Sequence, residues 1–167
     1  MKMKHVLLLL LFPDFLQSQS LDWQIHDVAF DQGDTVEASF ATYGFTTLSC
    51  YQFALKFDTA ELAFVAVQPL GILQALGLDD FSWHGKPGYP SIVPGEIRHA
   101  WSYPYGATLS DGAIPFKIRF TAKQSGTLSE ALQLWAEHPI VKPRAYKFPL
   151  VPIPLMLAFV SAGELSA

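Results

Sequence analysis

Side chains able to do acid–base, metal or nucleophilic chemistry are few and scattered. Beyond residue 20 the histidines are His26, His84, His99 and His138, and none stands at an HxH or HExxH spacing that would let two rings share a metal. Asp79-Asp80 is the sole adjacent acidic pair. A calcium loop wants several oxygens converging from one segment, and this pair supplies little of that. Asp34 and Asp111 sit beside glycines, where an aspartate bonds its own backbone and shapes a turn. There is no Gly-rich phosphate loop and no GxSxG elbow. A glycosidase would need two opposed carboxylates, and linear order does not supply that geometry. The expectation is a non-enzyme with no cofactor and no metal.

The constellation that stands out is aromatic. Trp83, His84, Tyr89, Trp101, Tyr103 and Tyr105 fall within 23 residues, partly inside the Pro/Gly-rich stretch 85–95. Flat aromatic faces stack on the apolar faces of sugar rings and also anchor protein interfaces. These six residues are therefore the candidate binding set, for a polysaccharide or a protein. Alternation around Trp101 also fits packing, and the same holds for Trp83. Tyr89, Tyr103 and Tyr105 sit in loop or strand-end positions, where exposure is expected. Trp23 and Trp135 read as packing residues.

The elements that must carry this set are strands. Val36, Ala38 and Phe40 alternate with Glu37 and Ser39. Residues 48–57 put Tyr51, Phe53, Leu55 and Phe57 on one side and Cys50, Gln52, Ala54 and Lys56 on the other. In 96–103, Ile97, His99, Trp101 and Tyr103 oppose Arg98, Ala100 and Ser102, which turns His99 inward. In 113–123, Ile114, Phe116, Ile118 and Phe120 share a face. A period of two is the mark of a half-buried strand. Further strands are expected at 23–30, 62–68, 80–84 and 151–160. Residues 104–112 and 138–150 read as irregular, and 130–136 fits either a strand or a short helix. Pro152 and Pro154 place the last strand at a sheet edge, because proline has no donor for a neighbour. About nine short strands separated by turn signals predict an all-β sandwich or jelly roll.

Lys2 and Lys4, the seven-residue apolar run Val6–Phe12 and the small polar residues Ser18 and Ser20 have the layout of a secretory signal peptide. Cleavage after Ser20 fits best, and after Ser18 is the alternative. The run is far shorter than the roughly 20 residues of a membrane span. Residues 21–167 then form one domain, exported to the cell surface or beyond. Cys50 is the single cysteine, so no internal disulfide and no lipoprotein anchor is expected, and a half-buried strand thiol is its plain reading. Half of the chain is apolar and 14% is aromatic, ample for a core without staples. Removing the leader leaves 9 basic against 14 acidic residues, which excludes a nucleic-acid footprint. Attraction to anionic lipid is excluded on the same ground.

The order of turns and core residues resembles a known family. Gln32-Gly33-Asp34-Thr35-Val36 opens a strand. Tyr51-Gln52-Phe53-Ala54-Leu55-Lys56-Phe57-Asp58 leads into Leu62-Ala63-Phe64-Val65-Ala66-Val67. Gly95-Glu96-Ile97-Arg98 and Leu109-Ser110-Asp111-Gly112-Ala113-Ile114-Pro115-Phe116-Lys117-Ile118 come later. This pattern resembles the cohesin-like domain, within the wider group of cellulose-binding and cohesin jelly rolls, over about residues 23–160. The resemblance implies an extracellular recognition module. It would bind a dockerin-like or other surface protein through one sheet face, or a polysaccharide through exposed aromatics. No additional domain follows before Ala167, so a scaffold joining several partners is not expected. The other reading of the chain is an assembly protein that pairs an edge strand, such as 151–160, with another chain.

Overall fold

The computed structural model describes residues 20–70 and 92–161. Alternation along residues 48–57 is realised as β4 (Leu48–Phe57), with Tyr51, Phe53, Leu55 and Phe57 all buried. Before it come β1 (Leu21–His26), β2 (Ala29–Phe30) and β3 (Thr35–Tyr43). After it come β5 (Leu62–Pro69), β6 (Ile92–Val93), β7 (Glu96–Ala107) and β8 (Ala113–Ala122). The chain then runs through β9 (Gly126–Thr127), a single helical turn α1 (Leu128–Ala131), β10 (Leu132–Leu134) and β11 (Arg144–Lys147). It closes with β12 (Val151–Ile153) and β13 (Leu155–Val160).

The strands form a β-sandwich. One sheet has the order β13-β1-β3-β8-β5, and the other β12-β11-β4-β7-β6, with β10 beside the far end of β4. The pair β2-β9 stands apart. Among the described residues all pairings are antiparallel except β1 with β13. Aromatic rings join the two sheets: Phe40 of β3 stacks on Phe53 of β4 at 6.3 Å, and Trp23 of β1 meets Tyr51 of β4 edge-on at 5.4 Å. Burial of such rings away from water is the main favourable term holding the sheets together.

His99 is buried among Tyr51, Phe53 and Phe116, as its inward position on β7 requires. A 2.8 Å hydrogen bond joins His99 Nε2 to Tyr51 Oη and compensates the burial of both polar groups.

Several expected boundaries move. Residues 23–30 split into β1 and β2. Residues 104–107, expected as a turn, belong to β7. The ambiguous 130–136 divides into the end of α1 and β10. Residues 144–147, expected to be irregular, pair with β4 as β11. Residues 151–160 are two strands, not one. Pro154 lies between β12, on the edge of one sheet, and β13, on the edge of the other. Thus the described residues alone hold thirteen strands, where about nine were expected for the chain. Ile114 is exposed, because a register shift between Phe40 and Thr42 on β3 turns the start of β8 outward. The strand expected at 80–84 lies outside the described residues, as do residues 1–19 of the expected leader 1–20.

Candidate functional site

Register fixes what the outer face of the β11-β4-β7 sheet presents. Across the three strands the outward residues form rows: Tyr146–Cys50–Ser102, then Arg144–Gln52–Ala100. Below them come Ala54–Arg98 and Lys56–Glu96 on β4 and β7. The lower half is covered. Residues 135–143, between β10 and β11, cross outside β4 to reach β7. Trp135 N–H donates to the Ala54 carbonyl at 2.8 Å, and His138 touches Glu96 beyond β4. Ala54, His138 and Val141 are buried where this strap lies.

His138 clasps the strap. Its Nδ1 accepts the backbone N–H groups of Ile140 at 3.1 Å and Val141 at 2.8 Å. A nitrogen that accepts two donors carries no proton, so the ring proton sits on Nε2 and is donated to Glu96 Oε1 at 2.7 Å. Arg98 Nε donates to the same oxygen. Burial pushes the Glu96 carboxyl up, but the hydrogen bonds from Arg98 and His138 outweigh it and hold the group below the usual carboxylate range.

The upper half is open. Between two register pairs β7 carries extra residues: Ser102 pairs with Cys50, yet Ala107 pairs with Leu48. Residues 103–106 therefore bulge from the sheet. Gly106 takes φ +73°, and a Cβ there would lie 3.0 Å from the Thr47 carbonyl oxygen and 3.1 Å from Phe148 Cβ. Phe148 N–H donates to the same Thr47 carbonyl at 2.7 Å. The bulge and the turn between β11 and β12 are thus pressed together, and a groove of about 390 Å³ opens beside them. Cys50, Tyr103, Pro104, Phe148 and Leu150 line it. Two lining or neighbouring residues adopt left-handed backbone that β-branched and bulky side chains avoid, Thr47 at φ 49° and Leu150 at φ 99°. Such strain, of order 1–3 kcal/mol per residue, concentrates at functional sites. Phe148 is 54% exposed and Leu150 66%.

The candidate aromatic set divides. Tyr105, at the tip of the bulge, is 79% exposed and meets Tyr103 edge-on at 6.0 Å. Tyr103 lines the groove, is half-buried and stacks on Trp101 at 6.5 Å. Trp101 is not a surface contact. It is 2% exposed and wedged against Phe45 and Tyr51 at 5.4 Å each, so its packing role is the one realised. Trp83, His84 and Tyr89 lie outside the described residues, as do Asp79 and Asp80. Sequence reasoning missed Phe148, Leu150, Tyr146 and Arg144. Their only signal was Phe148-Pro149 within a segment read as irregular. Cys50 is a half-buried thiol whose acidity is lowered by burial.

Among the described residues, no group of three or more His, Cys, Asp or Glu is placed to hold a metal ion. No described helix is long and apolar enough to cross a membrane.

No family model and no curated protein matches the chain. Solved structures do. CaCohA2 from Clostridium acetobutylicum superposes with a TM-score of 0.61 at 16% identity, over 85% of this chain and 88% of that one. A chain of a type I cohesin–dockerin complex from Clostridium thermocellum gives 0.61 at 18% identity, over 83% and 88%. A type II cohesin domain from the cellulosome of Acetivibrio cellulolyticus gives 0.54 at 15% identity, over 84% and 92%. Taken with the paired sheets and the thirteen strands described above, these superpositions place the chain in the cohesin-like fold.

Proposed function

We propose that this chain is a non-catalytic recognition module that binds a protein partner through the open half of the β11-β4-β7 face. One observation carries the reading. An apolar groove lined by exposed Phe148 and Leu150, with exposed Tyr105 beyond its lining residue Tyr103, is held on strained backbone, and nothing in the described molecule covers it. Interface anchors are aromatic and sit in pockets, and concave apolar clefts are where ligands bury area. Similar folds solved as cohesin–dockerin complexes support a protein partner, dockerin-like in kind. In this reading the leader 1–20 exports the domain 21–167 to the cell surface or beyond, where such a partner is met.

The test is a titration of the purified protein with a panel of dockerin domains and, separately, with insoluble polysaccharides. Saturable binding to a protein, weakened about 30-fold by Leu150→Asp, supports the reading. Binding indifferent to Leu150→Asp and Tyr105→Ala contradicts it. Exposed Tyr105 favours one second reading, a polysaccharide stacked on its ring. Binding to polysaccharide that is lost in Tyr105→Ala would select it.

A further inference from the structure

We infer that the partner seated in the groove is acidic: a protein segment that places an apolar side chain between Tyr103 and Leu150 and carries carboxylates toward Lys142 and Arg144. This rests on reading the groove as a protein-docking site.

The chain as a whole is acidic, with a formal net charge of −4. Yet β4, β7, β11 and the residues leading into β11 carry Lys56, Arg98, Lys142, Arg144 and Lys147 against two carboxylates, Glu96 and Glu137. In the two rows beside the groove, Tyr146–Cys50–Ser102 and Arg144–Gln52–Ala100, there is no carboxylate. Glu96 lies two rows further down, occupied by Arg98 and His138. Lys142 and Arg144 are exposed, and neither has an acidic partner among the described residues. Gln52 Nε2 donates to the Lys142 carbonyl at 3.0 Å, which fixes the backbone of that lysine beside the open rows.

The outer face of the other sheet is different. There Glu37 bonds Lys117 at 3.0 Å and faces Arg119 in register, so the cations of that face stand beside a carboxylate. Lys142 and Arg144, without an acidic partner among the described residues and next to an apolar groove, are complementary to an acidic amphipathic partner. They repel a basic one and raise the encounter rate of the right one.

A library of random displayed peptides, selected on the whole purified protein, tests this without presuming a partner. Selected binders are expected to carry an aromatic or aliphatic anchor flanked by Asp or Glu. They are expected to weaken about tenfold in Lys142→Glu/Arg144→Glu and at about 0.5 M salt. They should be lost in Leu150→Asp, with thermal unfolding of both variants matching the parent. Binders that are neutral or basic, lost in Leu150→Asp but indifferent to the charge reversal, overturn the acidic partner and leave the groove standing. Selection that yields only binders indifferent to Leu150→Asp, or none, removes both.

Discussion

His138 Nε2 donates a 2.7 Å hydrogen bond to Glu96 Oε1 although 42 residues separate them, and that contact carries the 135–143 strap across β4 onto β7. The strap closes one half of the sheet's outer face and leaves the other half, with its groove, as the open surface. His138→Ala removes the acceptor for the Ile140 and Val141 N–H groups together with the donor to Glu96. A loss of about 2–3 kcal/mol follows, since buried polar groups are left unpaired. Urea unfolding measures the loss, and amide exchange at Ile140 and Val141 should accelerate well before global unfolding.

The same pair sets an acid limit on stability. The folded-state pKa of Glu96 lies below its unfolded value, so the carboxylate stabilises the fold above the unfolded pKa of about 4.3. That contribution disappears as pH falls through the lower, folded value. Glu96→Gln should be less stable than the parent at neutral pH, and the difference should shrink below about pH 4. Unfolding midpoints followed from pH 7 downward check this, and a gap that widens on acidification refutes the assignment.

Neighbouring aromatics on β7 separate by role. Trp101→Ala opens a cavity in the core and should cost about 3–5 kcal/mol. Tyr105→Ala, at the exposed tip two residues beyond Tyr103, should change stability by no more than about 0.5 kcal/mol while weakening partner binding. Chemical denaturation of the two variants side by side distinguishes core from rim.

Gly106 holds the bulge against the turn that bears Phe148. Gly106→Ala combines a left-handed φ with a Cβ crowding Thr47 and Phe148, for a cost of about 1–2 kcal/mol. Because the groove wall must shift to admit that methyl group, affinity should fall along with stability. Calorimetric melting and binding measured on one preparation test the coupling.

The sequence made the sandwich legible where burial is local and periodic. Tyr51, Phe53, Leu55 and Phe57 alternate on β4, and Ile97, His99 and Trp101 on β7, so their inward faces follow from a period of two. Pairing decided by distant partners was not legible. β11 is flanked by Pro143 and Pro149 and has no alternation of its own, yet Ala145 finds Tyr51 and Tyr146 finds Cys50. Pro154 was readable as an edge signal but not as the point where the chain leaves one sheet for the other. The site was legible in part. Tyr105 and Tyr103 stood out as aromatics at a strand end, while Phe148 and Leu150 reach the groove only because Gly106 brings the bulge against their turn.

Docking of a protein in the groove between the β7 bulge and the β11–β12 turn is mapped by amide chemical shifts. The isotope-labelled protein is titrated with the tightest binder found among the dockerin domains and selected peptides. Shifts should concentrate at residues 102–107 and 147–151, with smaller ones at Cys50 and Arg144. Shifts confined to the outer face of β1, β3 and β8, or an absence of any binder, would refute docking in the groove.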